Sequence, residues 1–504
     1  MENDVLLRIT ALSDDGRGVA RQDGKVYFVS GALPGQTVHA RVERDRRRFA
    51  EARCTAVAED MAERAEPLCP HFGECGGCPM QIMPYPYQLA VKEGIVRDAL
   101  TRIGGAASLP MHDIIASPKT AAFRNKMEFA FGTAADGRPL VGLRRRASRE
   151  VFAVRQCAAM PEFAVTLAQA VCSIAREKGL SAYRWPEGDL RRTQAPCRTP
   201  RKGRGSFSRK AQARAFGSAE RGQAADAGFL RFCVVRHAFD AEGKPGWWVQ
   251  LVSSPADAAS AGAVRGMGAE ITARFPEVRG FVHDVRRSDD MLAQGEKRLC
   301  ELGPCGAHMT GYADDLPLKL DIASFFQVNS ETSRLLWHEV KKLSGLFDGT
   351  FSAPPVLWDL YCGSGAPGLL LAPKCASLLG VEYDAAAVRR AAENAEAAGL
   401  SNCRYVSGDA SEVLTRLADA GRLPRPDIVL VDPPRAGMDP RVAEHILAAA
   451  PQRIVYVSCG PATLARDVRI LCGGGYALTC VRPADMFPHT PHVETVALLS
   501  KTTA

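Results

Sequence analysis

Hydrophobic and polar positions alternate along the chain in successive patterns, and each pattern predicts a different architecture. The first 58 residues carry short β-like runs separated by glycine-containing turns, which is typical of a small antiparallel barrel. These runs are residues 5–9, 25–29, 37–42 and 52–57. After a helical pattern over residues 88–104, alternating runs predict a strand-rich α+β region. They lie at residues 123–132, 141–146, 229–236 and 247–252.

The last third of the chain repeats a unit of strand, glycine-rich turn and helix, which predicts an α/β fold. Its predicted strands are residues 356–360, 378–382, 428–431, 454–457, 477–481 and 493–499. We therefore expect three domains. They are an OB-like barrel over residues 1–60, a strand-rich α+β central domain over residues 61–324 and a Rossmann-like domain over residues 325–504.

A basic stretch near residues 190–227 interrupts the central region. Arg and Lys are scattered there among Gly, Ser, Ala and Gln, with almost nothing to bury. We expect a disordered insertion. It could bind RNA nonspecifically by releasing counterions from phosphates, or it could be a tolerated loop insertion with no function.

Composition places the chain among ordinary globular proteins. Of the 504 residues 46% are hydrophobic and 24% are charged. No long apolar run or signal-peptide pattern is found, so we expect a soluble, unexported, cytoplasmic protein. The net charge of +8 permits an anionic partner such as nucleic acid but does not require one.

Sixteen cysteines in a chain with no export signal are expected to be reduced, so a local cluster of them indicates a metal, a cofactor or chemistry. Cys69, Cys75 and Cys78 have the spacing C-x5-C-x2-C, and the pair of glycines before Cys78 lets the chain bend. Cys157, after a strand-like segment, is the best candidate for a fourth ligand. Four thiolates would suit zinc or an iron–sulfur cluster, and the spacing does not choose between them.

A glycine-rich turn follows the first strand of the α/β region. Residues 363–368 match G-x-G-x-x-G, and Glu382 ends the next strand. Glycines let the backbone approach a ligand, and a carboxylate accepts hydrogen bonds from ribose hydroxyls, so NAD, a flavin and S-adenosylmethionine all fit. The longer motif Asp-Leu-Tyr-Cys-Gly-Ser-Gly and the later Asp432-Pro-Pro-Arg favour S-adenosylmethionine.

Cys459 lies at the carboxyl end of the strand at residues 454–457, just before Gly460. In open α/β sheets this edge is where ligands bind. A cysteine there can also be a packed apolar residue, so the position alone does not establish a nucleophile.

Five segments occur in the order found in the RNA uracil-5-methyltransferase family, which the chain resembles over nearly its whole length outside the basic insertion. They are residues 324–329, 359–363, 432–435, 457–467 and 487–494. The resemblance implies methyl transfer from S-adenosyl-L-methionine to C5 of uridine in RNA. The barrel resembles a TRAM domain. With the clustered cysteines it resembles the ribosomal-RNA branch of the family, whose members carry a TRAM domain and a 4Fe-4S cluster.

The resemblance also implies roles for individual residues. Cys459 corresponds to the nucleophile and Glu494 to the base. The expected cofactor contacts are Gln327, Tyr361, Glu382 and Asp432, with Asp409 near the adenine. The expected cluster ligands are Cys69, Cys75, Cys78 and Cys157. Ala366 stands where many relatives have Asn or Thr, which puts one cofactor contact in doubt.

We therefore expect an RNA methyltransferase, with 23S ribosomal RNA as the partner and a monomer as the working form. The target uridine must leave its stack to reach Cys459, which favours single-stranded RNA. Three alternatives stay open: a transfer RNA methyltransferase, a dinucleotide oxidoreductase and a non-catalytic RNA-binding protein.

Overall fold

The computed structural model describes residues 4–106, 108–185 and 228–502, so the basic insertion predicted near residues 190–227 lies outside the described residues. Three sheets organise the described chain. The predicted fold class is confirmed: a barrel-like N-terminal sheet, a strand-rich central region and a Rossmann-like C-terminal domain. None of the described helices is both long and apolar enough to cross a bilayer.

The first sheet has six strands in the order β1-β5-β6-β4-β3-β2, antiparallel except for the parallel pair β4–β6. Its strands are β1 (Asp4–Arg8), β2 (Ala11–Leu12), β3 (Gly18–Gln22), β4 (Lys25–Ser30), β5 (Thr37–Asp45) and β6 (Phe49–Glu59). Asp23 and Gly24 both have positive φ, the geometry of a tight hairpin turn. The Thr10 amide donates to the Val19 carbonyl (2.9 Å), which continues the β2–β3 pairing by one residue.

The central sheet has nine strands. Its main path is β13-β12-β11-β10-β7-β8-β9, with β14 pairing to β10 and β15 to β14. The strands are β7 (Lys126–Thr133), β8 (Pro139–Arg144), β9 (Val151–Ala153), β10 (Leu230–Phe239), β11 (Pro245–Ser253), β12 (Val278–Val285), β13 (Lys297–Leu302), β14 (His308–Ala313) and β15 (Leu316–Asp321). The helices of this described part are α1 (Tyr85–Arg102), α2 (Glu162–Glu177) and α3 (Ala258–Arg274). Helices α2 and α3 pack on this sheet around Phe129, Val171 and Phe281.

The third sheet has seven strands in the order β18-β17-β16-β19-β20-β22-β21. The first five run parallel, and the β21–β22 hairpin pairs antiparallel with β20. The strands are β16 (Val356–Leu360), β17 (Ser377–Glu382), β18 (Cys403–Ser407), β19 (Ile428–Val431), β20 (Arg453–Ser458), β21 (Tyr476–Ala484) and β22 (Glu494–Lys501). Strands β17 and β18 are added on one side of β16, and β19 and β20 on the other side. The carboxyl ends of β16 and β19 therefore flank the point where the strand order reverses, which is where ligands bind in sheets of this kind.

Within residues 228–502, six helices and one short 3-10 turn accompany this sheet. They are α4 (Ser330–Ser344), α5 (Ala366–Leu371), the 3-10 turn Ala372–Lys374, α6 (Ala385–Ala397), α7 (Ala410–Asp419), α8 (Pro440–Ala449) and α9 (Pro461–Gly473). Asp384, Asp409 and Asp439 cap α6, α7 and α8 by accepting backbone N–H bonds. These caps therefore hold each loop of the ligand-binding edge in place at the point where its helix begins.

Helix α1 packs on the third sheet even though it precedes the central strands in the chain. Ile95, Val96 and Leu100 share a core with Leu464 and Val468 of α9. The domain boundaries at residues 60 and 324 stay a prediction, but this packing makes α1 part of the C-terminal core.

The segment after α1 extends the third sheet at its outer edge. Met111 and Ile115 form parallel bridges to Val481 and Ala484 of β21. The Ile115 amide donates to the Pro483 carbonyl at 2.9 Å. The N-terminal half of the chain thus covers an edge that would otherwise present unpaired backbone groups.

Candidate active site

Cys459 and Glu494 lie at the same end of two paired strands. Cys459 follows β20, Glu494 begins β22, and Ser458 is opposite Thr495 in the register. Cys459 is half-buried, and Glu494 is only 6% exposed. The structure therefore brings together the two residues predicted to be nucleophile and base.

Four ionisable side chains share this position. Burial raises the pKa of the Cys459 thiol to about 11, and the nearby Glu494 carboxylate adds to the rise. Burial likewise raises the pKa of Glu494 to about 8, with Asp432 as the second cause. Arg435 opposes both shifts. The free site therefore holds a thiol and a protonated carboxyl group near neutral pH.

Arg435 is a functional candidate that the sequence reasoning missed. It belongs to the quoted Asp-Pro-Pro-Arg motif, but only Asp432 of that motif received a role. The side chain is exposed at the strand end, and its positive charge favours the thiolate form of Cys459. The available signal was a cation three residues after a predicted cofactor carboxylate.

The loop after β16 has the backbone of a ligand cradle. Tyr361 has a positive φ of 64°, and its amide donates to the Val381 carbonyl at 2.8 Å. The Gly363 amide donates to Glu382 Oε2 at 3.1 Å. A Cβ built on Gly363 would meet no described atom within 4 Å, so the loop is open on that side. These features fit a nucleoside whose ribose hydroxyls donate to Glu382.

Two carboxyl groups lie behind this loop. Burial raises the pKa of Asp359 to about 8, and Asp432 is the second cause. Burial raises the pKa of Asp432 to about 7. The Gly368 backbone opposes the rise in the pKa of Asp359, but within the described ranges neither side-chain oxygen of Asp359 has a hydrogen bond of good geometry. A Cβ on Gly368 would come within 2.2 Å of Asp359 Oδ2, so glycine is required there.

Two other predicted cofactor residues occupy defined positions nearby. Asp409 caps α7, and its Oδ1 accepts from the Ser411 amide at 3.0 Å. Gln327 is half-buried, and its backbone carbonyl accepts from Asn125 Nδ2 at 2.9 Å. Pro367 sits in the first turn of α5, where proline's fixed φ suits a helix start. The cofactor roles of Asp409 and Gln327 stay predictions.

The four clustered cysteines lie close enough to interact. Burial raises the pKa of Cys78 to about 12, and Cys157, Cys75 and Cys69 add to the rise in that order. The Gly77 amide points to the Cys75 sulfur at 3.4 Å. Across the described ranges, no group of three or more His, Cys, Asp or Glu side chains has a metal-holding arrangement. The four thiols are a donor set whose chemistry fits an iron–sulfur cluster.

Comparison with known proteins gives two family matches. Residues 323–502 match the family described as tRNA (Uracil-5-)-methyltransferase. Residues 4–55 match the TRAM domain. The two matches fall on the third sheet and on the first sheet.

Full-length relatives and a solved structure agree with these matches. An RNA methyltransferase of Nitratidesulfovibrio vulgaris is 39% identical over 98% of this chain and 95% of its own length. One of Gloeobacter violaceus is 32% identical over 99% of this chain and 96% of its own length. The structure of Pyrococcus abyssi tRNA (uracil-54, C5)-methyltransferase with S-adenosyl-L-homocysteine has a TM-score of 0.68 at 24% identity, covering 98% of this chain and 100% of that one. This likeness shows a shared fold.

Proposed function

Because this chain belongs to the RNA uracil-5-methyltransferase family, we propose that it methylates C5 of a uridine in 23S ribosomal RNA through a covalent adduct of Cys459. The observation that carries the proposal is the meeting of Cys459 and Glu494 at one end of β20 and β22. A nucleophile and a base within reach of one small ring are what this reaction requires.

Uracil C5 is a weak nucleophile, so the protein must first activate the ring. The Cys459 thiolate adds to C6, and the electrons of the C5–C6 double bond pass to C5 and the adjacent carbonyl oxygen as an enolate. Bound S-adenosyl-L-methionine would supply an electrophilic methyl group. C5 would bond to that methyl carbon as its bond to the sulfonium sulfur breaks, leaving S-adenosyl-L-homocysteine. Glu494 then takes the proton from C5, and the C6–sulfur bond breaks to release Cys459.

The ionisation of the site decides how this sequence starts. Arg435 is a cation that favours the Cys459 thiolate, whereas Glu494 and Asp432 oppose it. Burial lowers the pKa of His492 to about 4, so this ring is neutral near pH 7 and adds no cation to the site. Arg435 is thus a protein group that promotes thiolate formation.

We propose Gln327, Tyr361, Glu382 and Asp432 as the residues that hold S-adenosyl-L-methionine, with Asp409 near the adenine. The geometry around Glu382 gives the strongest support for this cofactor site. Its two oxygens already accept from the amides of Gly363 and Asp384, which fixes the carboxylate, and each oxygen keeps a lone pair for a ribose hydroxyl.

Ribosomal RNA is the proposed substrate because the chain combines a TRAM barrel with the four clustered thiols. Transfer RNA is the second candidate, since the matched family is described by its transfer RNA members. We place the reaction in the cytoplasm, whose reducing conditions keep thiols available. The mechanism requires no second copy of the chain.

We also propose that Cys69, Cys75, Cys78 and Cys157 hold a 4Fe-4S cluster. Methyl transfer consumes no electron, so the cluster would have a structural role. Arg124 interacts electrostatically with Cys157 and Cys78, and this cation would offset part of the negative charge of an all-thiolate site.

The decisive experiment measures transfer of labelled methyl groups to bulk RNA that lacks 5-methyluridine, separated into ribosomal and transfer fractions. We expect label as 5-methyluridine in ribosomal RNA, lost in Cys459→Ala and kept in Cys472→Ala, whose thiol is exposed on α9. Label confined to transfer RNA would overturn the substrate. Label that persists in Cys459→Ala would overturn the mechanism.

A further inference from the structure

The loop of residues 485–493, here called the base loop, leads from β21 to Glu494 and is held from several sides. Helix α1 supplies one hold, since Gln88 Oε1 accepts from the His489 amide at 2.9 Å. Gln88 Nε2 lies 3.1 Å from His489 Nδ1. The other ring nitrogen of His489 lies 3.0 Å from the Thr120 carbonyl oxygen. His489 has a positive φ of 66°, so the surrounding contacts must stabilise its backbone.

A buried charge fixes the start of the base loop. Lys92 and Asp485 form an ion pair with no exposed side-chain area. Lys92 Nζ also donates to the Phe487 carbonyl at 2.9 Å, and Tyr85 OH donates to Asp485 Oδ2 at 2.8 Å. Buried pairs of this kind favour a single geometry, because any other leaves a charge without a partner.

The barrel contacts the other end of the base loop. The turn between β2 and β3 places Gly16 so close to Pro491 that a Cβ on Gly16 would lie 2.8 Å from the Pro491 ring. The turn is internally well bonded. The Ser13 amide donates to the Arg17 carbonyl at 2.9 Å, and the Arg17 guanidinium pairs with Asp15 at 2.7 Å.

The barrel is also seated on α1, so the Gly16 contact is part of a larger interface. Leu12, Leu33 and Met61 join the core that contains α1. A Cβ on Gly35, in the β4–β5 connection, would lie 3.4 Å from Tyr87 OH of α1. With apolar packing on one side and the Pro491 contact on the other, the barrel has a defined position against the base loop.

We propose that the barrel is a positioning element for the catalytic base, acting through contact of the Gly16 turn with Pro491. This inference rests on the proposed function and extends it. Gly16 and Pro491 are positioning residues, since neither touches the reacting atoms. The contact sets the path of the base loop and therefore where Glu494 stands relative to C5 of the adduct.

The reaction sequence gives a misplaced base a distinctive signature. Glu494 acts after the methyl group has been transferred, when the C5 proton leaves and the C6–sulfur bond breaks. A displaced Glu494 slows only that last step. Enzyme with a shifted base loop should therefore accumulate methylated RNA bound covalently to Cys459, while addition and methyl transfer continue.

The test compares Gly16→Ala with Gly24→Ala. Both glycines are in barrel turns with positive φ, 80° and 74°, so alanine brings the same backbone strain to each. A Cβ at Gly24 meets no atom of the described chain within 4 Å. Pro491→Ala serves as a second variant because it removes the ring from the other side of the contact. The readout is labelled methyl that stays on the denatured protein after ribonuclease digestion, together with turnover.

We expect Gly16→Ala and Pro491→Ala to lower turnover at least about tenfold and to accumulate adduct. The ratio kcat/KM for RNA should stay unchanged, because only a step after methyl transfer is slowed. Gly24→Ala should behave like wild type. Adduct at the wild-type level in both contact variants, or the same accumulation in Gly24→Ala, would overturn the inference. Failure of wild type to methylate any RNA would overturn the proposed function instead, so the two failures are distinguishable. Melting temperatures identify a variant that does not fold, and the other contact variant then decides.

Discussion

The Met80 amide donates a hydrogen bond of 2.9 Å to the carbonyl oxygen of His489. Met80 follows Cys78 closely in the chain, and His489 lies in the loop that leads to Glu494. This bond joins the segment of clustered thiols to the end of the third sheet where Cys459 and Glu494 lie. A change in one region should therefore be measurable in the other.

Replacing a proposed cluster ligand should remove iron and loosen this connection. We expect protein purified without oxygen to contain iron and sulfide, and Cys78→Ser to lose most of both and to melt at lower temperature, since metal binding contributes to folding. Cys54→Ser, in the barrel strand β6, is the matched control and should keep its iron. Zinc, or no metal, in anaerobically purified wild type would contradict the proposed cluster.

The rate of adduct resolution should rise with pH up to about 8. Burial raises the pKa of Glu494 to about 8, so below that pH the carboxyl group is protonated and cannot act as a base. The rate of adduct resolution should fall about tenfold for each pH unit below about 8. Rapid-quench measurements on labelled adduct test this. A flat profile in wild type, or an unchanged profile in Glu494→Gln, would show that Glu494 is not the base.

Asp359→Asn should stabilise the protein more at pH 9 than at pH 5. Burial raises the pKa of Asp359 in the folded protein to about 8, against 3.8 for an ordinary aspartate, so the folded state holds the proton more tightly. The stability that this group contributes is therefore lost as pH rises from about 4 to 8, with the free energy of unfolding falling by about 1.4 kcal/mol for each tenfold drop in proton concentration. Urea unfolding at both pH values measures the gain. Asp315→Asn, at an exposed position, should show no such difference.

Lys92→Met should destabilise the protein strongly. Removing Lys92 leaves the Asp485 carboxylate buried without its cation, which typically costs about 3–5 kcal/mol. Lys92→Met combined with Asp485→Asn removes the orphaned charge and should recover part of the loss. A loss below about 1 kcal/mol in the single variant would show that Asp485 takes up a proton or finds another partner.

Most of the third sheet could be predicted from sequence because its strands are short and apolar, and glycine or proline follows β16, β19 and β20 within three residues. Strand β18 was not predicted. The predicted strands at 356–360 and 428–431 have the same bounds as β16 and β19. Such strands are buried on both faces and read as continuous apolar runs. The motifs then located Cys459 and Glu494 at the ends of paired strands.

The contacts that hold the base loop could not be predicted. They join residues nearly 400 positions apart, such as Lys92 and Asp485, separated by 393. Gln88 and Lys92 were visible as two polar residues one helical turn apart in α1, but nothing local showed that this face is buried. The family match also decides against the oxidoreductase and the non-catalytic alternatives, which the glycine-rich turn left open.

Residues 111–115 cover the edge strand β21, and α1 covers one face of the third sheet. Both segments are synthesised long before the strands they cover. Tyr85 and its partner Asp485 are 400 residues apart in the chain. At about 5–20 residues per second, α1 would wait roughly 20–80 s on the ribosome before its partner strands emerge. During that time its apolar face has no native surface to cover. A fragment ending before β19 would expose this face permanently and is expected to aggregate.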